Sequence, residues 1–187
     1  NDYWKISASW NMAMRLPTFT DLYYKSPTNE GNVGLKPEET SAIDFGARYR
    51  NRGVESSVAL FYHHGKNMID WVMYSADDIF HSAAFELDNK GFEFNTAFLG
   101  REIFGEKCPV RKVSFGYAHI CQEREDDVEI YKSNYALEYL RSKISASLET
   151  RVVKRLNATL SLRYQDRNGS YIKYDENHKS TGMLVDY

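Results

Sequence analysis

Leu156-Asn157-Ala158-Thr159-Leu160-Ser161-Leu162-Arg163-Tyr164 alternates apolar and polar side chains without a break. Side chains of a strand point to opposite faces in turn, so this stretch has one oily face and one wet face. The pattern recurs upstream. Leu140, Ile144, Ala146 and Leu148 alternate with Arg141, Lys143, Ser145, Ser147 and Glu149. Val113, Phe115 and Tyr117 alternate with Ser114, Gly116 and Ala118. Phe92, Phe94, Thr96 and Phe98 alternate with Gly91, Glu93, Asn95 and Ala97. Val54, Ser56, Val58, Leu60 and Tyr62 form another apolar side, although Phe61 breaks the polar one. Ile43, Phe45, Ala47 and Tyr49, then Trp4, Ile6, Ala8 and Trp10, continue it toward the start. With a weaker strand from near Thr181, the chain reads as all-β, an antiparallel up-and-down meander of about eight strands, the first two and the last short or cut.

The connections alternate in length. Short turns fall at Asn51-Arg52-Gly53, at 105–109 and at Val153-Lys154-Arg155; long ones run over 11–40, 76–83, 122–130 and 166–180. Such a meander has two different ends. The central strands, 54–75 and 84–104, exceed what a soluble sheet usually needs. The polar face carries Arg, Lys, Glu, Asp and Asn, as a wet lumen would. The apolar face carries no charge in its clearest stretches, where Lys or Arg would cost about 2–4 kcal/mol at a bilayer midplane. Trp4, Trp10, Tyr49, Tyr62, Tyr117 and Tyr164 lie near the ends of that face, where amphipathic rings favour the headgroup level. The pattern predicts a membrane-spanning barrel wall, with a soluble β-sandwich as the alternative.

Composition narrows the function classes. A length of 187 residues suits one domain. A net charge of −2 leaves no nucleic-acid footprint. No apolar run approaches the roughly 18 residues of a membrane helix. The sequence starts inside a strand without Met and stops inside one, which reads as a stretch of a longer polypeptide. Cys108 lies in a short turn and Cys121 at the far end of the next strand. That span is near 40 Å when extended, against the roughly 7 Å a disulfide tolerates, so the two are expected as free thiols.

The first long connection carries the most specific signal. It reads Arg15-Leu16-Pro17-Thr18-Phe19-Thr20-Asp21-Leu22-Tyr23-Tyr24, then Gly31-Asn32-Val33-Gly34-Leu35-Lys36-Pro37-Glu38, then Thr40-Ser41-Ala42-Ile43-Asp44-Phe45-Gly46. Pro17 and Pro37 stiffen it, Gly31 and Gly34 permit tight turns, and Glu38 and Glu39 place charge at a rim. Ile69-Asp70 and Asn89-Lys90-Gly91-Phe92-Glu93 follow on a later hairpin. In order and spacing this resembles the TonB-dependent outer-membrane receptors, with their Arg-x-Pro segment, "LYY" stretch and Leu-x-Pro-Glu; within that superfamily the cobalamin receptors are the nearest likeness.

The resemblance implies part of a larger, 22-stranded transmembrane barrel whose lumen holds a plug domain. It implies residence in the outer membrane of a Gram-negative bacterium, among its lipid, and energising by TonB through an N-terminal region outside this sequence. Residues 1–187 would be one partial barrel domain, without plug or remaining strands, and its two open strand edges would invite pairing. The implied function is uptake of a scarce nutrient, a small molecule such as cobalamin or a ferric siderophore, with no bond chemistry and no cofactor. Phe19, Tyr23, Tyr24, Trp71, Tyr74 and Phe80 are the candidates to face ligand, because aromatic-rich loops suit flat or macrocyclic molecules. Asp44, Arg48, Glu93, Lys143 and Arg163 are candidates to face the plug, or are simply solvated lumen charges.

A haem receptor of the same family is an alternative, but 15–39 contains no His. His63 and His64 are adjacent, so a strand points them apart and they do not readily share a metal. Glu123, Glu125, Asp126 and Asp127 lack calcium-hand spacing and read as a solvated tip, with a calcium loop of another kind left open. An enzyme would need a nucleophile motif such as Gly-x-Ser-x-Gly, and none occurs.

Overall fold

A computed structural model describes residues 3–125, 130–134, 139–174 and 180–186. In chain order the elements are β1 (Trp4–Arg15), α1 (Phe19–Tyr23), β2 (Asn29–Glu30), β3 (Glu38–Asn51), β4 (Val54–Met73), β5 (Phe80–Leu99), α2 (Gly100–Phe104), β6 (Val110–Arg124), β7 (Lys132–Ser133), β8 (Leu140–Val153), β9 (Leu156–Arg167), β10 (Ser170–Tyr174) and β11 (Ser180–Asp186). The long strands follow one another across a single antiparallel sheet in the order β1-β3-β4-β5-β6-β8-β9. The two short strands β2 and β7 join it at β5 and β4, giving nine strands in all.

The meander is as expected, with differences in its parts. The first two long strands are full-length, because β1 continues to Arg15 and β3 begins at Glu38. The connection between β4 and β5 is shorter than 76–83, since Phe80 already belongs to β5. The expected strand through Phe104 ends at Leu99 and gives way to a helical turn, α2. There a Cβ on Gly100 would collide with the carbonyl of Val110, so only glycine lets the two backbones approach that closely. The strand expected from Thr181 is β11, which pairs with β10 in a separate two-stranded sheet.

Register joins the faces seen in the sequence. Ala47 pairs with Val58, Val58 with Phe94, Phe94 with Tyr117, Tyr117 with Ile144 and Ile144 with Tyr164. Directly paired residues share a face, so the apolar sides of all these strands fuse into one belt. The belt is exposed: Trp10 by 68%, Leu60 by 50%, Leu160 by 71% and Leu162 by 62%. Phe92 and Phe94 are exposed as well, which removes the two-layer core that a soluble sandwich requires. From Val54 to Tyr62 the belt covers about 27 Å of strand, or about 20 Å of height at the usual barrel tilt of roughly 40°, near the apolar band of an outer-membrane barrel. Trp4 and Tyr49 meet at its lower rim, ring centroids 4.8 Å apart and the planes tilted by 48°.

The opposite face is concave and polar. A large aromatic in the middle of it, Phe61, has a physical reason. Phe61 pairs with Gly91, and a Cβ on Gly91 would lie 2.6 Å from the Phe61 ring and collide with the His119 carbonyl. The missing side chain makes room for the ring. At the lower end, Arg52 and Gly53 close the β3–β4 turn with φ of 38° and 78°, the left-handed pair that a two-residue hairpin needs.

Among the described residues a small interior core exists only at the upper end. Val72, Phe85 and Leu87 are buried there, packed by Met68, Ala83 and Ile130. The β4–β5 hairpin rises past the belt, and the neighbouring loops fold onto it.

Candidate ligand-facing cap and lumen surface

The loop between β1 and β3 is built on α1. Thr18 and Asp21 form a reciprocal capping box: the Asp21 amide donates to the Thr18 hydroxyl at 3.1 Å, and the Thr18 amide donates to the Asp21 carboxylate at 2.9 Å. Burial pushes the Asp21 carboxyl up, but the Thr18 hydroxyl and amide, the Arg15 charge and the Trp71 indole outweigh it, so it sits below its ordinary value.

The loop's two ends are tied together and to β4. Arg15 donates to both oxygens of Glu38, at 2.5 and 2.6 Å. The same carboxylate accepts the Ile69 amide at 2.8 Å. Hydrogen bonding from Arg15 is the largest influence on Glu38 and holds its carboxyl below the usual range despite burial. Beside it, Asn67 sits at φ 53° in a bulge of β4 and donates to the Pro37 carbonyl at 3.1 Å. The motif residues Arg15, Pro17, Thr18, Asp21, Pro37 and Glu38 therefore form or flank the ties of this loop. The capping box is carried by the spacing in Thr18-Phe19-Thr20-Asp21 itself; the Arg15–Glu38 clamp needs the β1–β3 register.

The aromatic candidates divide. Phe19 and Tyr23 are exposed, with ring centroids 4.9 Å apart. Tyr74 is exposed and stacks on His81 at 6.0 Å. The His81 ring also meets Asp78 at 3.0 Å, and this hydrogen bond lowers the Asp78 carboxyl from its ordinary value. Tyr24 is half-exposed and meets Trp71 edge-on at 6.3 Å. Phe80 is half-buried at the start of β5, paired with Asn29. Trp71 is a correction: it is 9% exposed, so it packs the loop onto the hairpin instead of offering a face to ligand.

The lumen candidates all lie on the polar face by register. Arg48, Ser57, Asn95, Gly116, Ser145 and Arg163 form one row across six strands. They line a concavity of about 760 Å³. One row higher, Glu93 and Lys143 both pair with Ala118, on opposite sides of it. Asp44 meets the His63 ring at 3.0 Å and accepts from Ser9 at 3.3 Å. His64 points the other way, to Asp88 at 2.6 Å. Glu123 is bonded to Lys90, and Asp126 and Asp127 lie outside the described residues. Among the described residues no group of three His, Cys, Asp or Glu could hold a metal ion. His119 meets Ser142 at 2.9 Å, but the nearby Asp166 carboxylate is held by Arg141 at 2.7 and 3.1 Å, so no triad is assembled.

An exposed apolar belt, a polar concave face and a folded upper cap are what a barrel wall presents. The family model described as "TonB dependent receptor-like, beta-barrel" matches residues 1–182. The chain belongs to that family. TonB-dependent receptors are outer-membrane proteins of Gram-negative bacteria. A vitamin B12 transporter, BtuB of Vibrio vulnificus (strain YJ016), is 34% identical over 71 residues, which is 38% of this chain and 11% of that protein. Among solved structures, the copper transporter OprC superposes with a TM-score of 0.67 at 13% identity, over 89% of this chain and 24% of that one. The FrpB iron transporter of Neisseria meningitidis gives 0.63 at 14% identity, over 100% and 29%. The pyoverdine receptor FpvA of Pseudomonas aeruginosa PAO1 gives 0.60 at 15% identity, over 96% and 25%. At these identities the TonB-dependent receptor structures establish the fold. The chain spans about a quarter of their length. The relatives named here are transporters and receptors, not enzymes.

Proposed function

We propose that this chain is part of the wall and extracellular cap of an outer-membrane transporter that captures a scarce nutrient and passes it inward, energised by TonB. The observation that carries this reading is the exposed belt from Trp4 to Tyr164 opposite a polar concave face. A surface of that kind is stable only with lipid on one side and water or a plug on the other. Residues 1–187 then serve as one partial barrel domain. Phe19, Tyr23, Tyr24, Tyr74 and Phe80 are the ligand-facing candidates, and Asp44, Arg48, Glu93, Lys143 and Arg163 face the plug.

For substrate, a corrinoid is the first choice. The loop motif and the similarity to a vitamin B12 transporter support it, and exposed rings such as Phe19 and Tyr23 offer flat apolar contact to a macrocycle. A ferric siderophore is second. Haem is less well supported, because 15–39 has no His and His81 is engaged by Asp78. Titration of the whole receptor with cobalamin, ferric siderophores and haem tests the choice. Saturable corrinoid binding that weakens on Phe19→Ala and Tyr23→Ala is expected. Binding of a siderophore alone would overturn the corrinoid assignment, and binding of none would overturn the uptake reading.

A further inference from the structure

The two loops beside the β4–β5 hairpin each cross it to reach its far edge. The loop after β1 belongs to the β3 side, yet its strand β2 pairs with β5, Asn29 with Phe80 and Glu30 with His81. The loop after β6 belongs to the β5 side, yet its strand β7 pairs with β4, Val72 with Ser133 and Met73 with Lys132.

Four consecutive residues, Ile69-Asp70-Trp71-Val72, hold both loops. Strand period two puts Ile69 and Trp71 on one side and Asp70 and Val72 on the other. Toward the first loop, the Ile69 amide donates to Glu38 at 2.8 Å and the Trp71 ring meets Tyr24. Toward the second, the Asp70 carboxylate accepts from the Ser133 hydroxyl, and Val72 packs near Ile130. The backbone adds two bonds: Asn134 donates to the Trp71 carbonyl at 3.0 Å and Tyr131 to the Met73 carbonyl at 2.9 Å. Asp70 is 1% exposed, a buried carboxylate in the middle of this stretch. It also accepts from the Trp71 amide at 2.7 Å, so it fixes the backbone that presents Trp71 to the other loop.

We propose that the two loops and the hairpin form one cooperative unit, with Asp70 as the positioning residue that couples them. Loosening one loop shifts the Ile69–Val72 backbone and so loosens the other, although the loops approach from opposite sides. For nutrient capture, which rests on the receptor reading above, this means that both loops engage and release ligand together. The coupling itself does not depend on that reading.

Amide hydrogen exchange on the whole receptor in detergent tests it. In Asp70→Ala, exchange should rise about tenfold at Tyr131 and Asn134, and also at Gly31, Asn32 and Phe80 in the opposite loop and its β5 partner, while amides of the belt near Val58 and Phe94 keep their wild-type rates. Asp70→Asn, which retains an acceptor for Ser133, should restore most of the protection. The milder Ser133→Ala should show the same two-sided pattern at smaller amplitude, and it serves if Asp70→Ala does not fold. Acceleration confined to 131–134, with Gly31, Asn32 and Phe80 within about twofold of wild type in either variant, would overturn the coupling. Two-sided loosening in a receptor that binds no nutrient would uphold the coupling and remove only its use in capture.

Discussion

Val58 and Ala59 are neighbours in sequence and lie on opposite faces of β4, so they form a matched test of what each face touches. Val58 is 36% exposed and sits between Ala47 and Phe94, near the middle of the apolar belt. Ala59 pairs with Gly46 and with Glu93 on the concave side. Lysine at Val58 must hold an ammonium near the bilayer midplane, at a cost of about 2–4 kcal/mol. That lowers the folding constant into lipid roughly 30- to 1000-fold. Lysine at Ala59 has water and the Glu93 carboxylate beside it, so its effect should stay within about 0.5 kcal/mol. Reversible folding of the whole receptor into lipid vesicles across a denaturant series gives both values. Equal costs for the two variants, or a neutral Val58→Lys, would refute the assignment of lipid to the belt.

Other outcomes follow from the cap and the wall. Glu38→Ala removes the acceptor for Arg15 and Ile69; because Arg15 is half-exposed and resolvates, the loop should lose only about 2 kcal/mol, read as roughly 30-fold faster exchange at Gly31 and Asn32. Glu38→Gln, which keeps an acceptor for Ile69, should lose less. The Asp21 and Glu38 carboxyls are both held below their ordinary values when folded. Their contribution is thus fully present above the unfolded range near pH 4 and is lost as pH falls through the lower folded values. Loop protection should therefore be flat from about pH 5 to 8 and decline only in stronger acid, and a decline between pH 6 and 7 would count against these two groups. Gly91→Ala should cost about 1–3 kcal/mol in the folding titration, since its methyl meets Phe61 and the His119 carbonyl, and Phe61→Ala in the same chain should recover part of that.

How far the sequence reached depends on range. The alternation in Leu156–Tyr164 and in Phe92–Phe98 declared the strands and their faces, because a strand's period is local. That Arg48 and Arg163 share the polar face followed from parity; that they end one row across six strands needed the register. The helical turn at Gly100–Phe104 lies among strand-like residues, Phe98, Leu99, Ile103 and Phe104; the close approach of Val110 to Gly100 is a contact that no local pattern shows. Trp71 looked like an exposed loop aromatic for the same reason. It is buried among groups far away in sequence, Tyr24 edge-on to its ring among them. The Arg15–Glu38 clamp joins residues whose nearness exists only after β1 and β3 pair.

The distribution of buried groups separates two kinds of stability in one chain. In the belt, large apolar side chains such as Trp10, Leu160 and Leu162 gain little from one another and face outward. There the backbone ladder satisfies the polar groups, and lipid supplies the apolar medium. In the cap, Val72, Phe85 and Leu87 are shielded by protein, and carboxylates such as Asp21, Glu38 and Asp70 are buried with named donors, as in a soluble domain. A change of lipid or detergent should therefore act on the belt first, and a change of pH or a lost hydrogen bond on the cap first. The bulge at Gly65–Met68, just above Tyr62, is where β4 passes from one regime to the other. Below it both neighbours of β4 are wall strands; above it β5 still holds one edge while the loop strand β7 takes the other, so the wall can there carry a surface that moves apart from the seal with lipid.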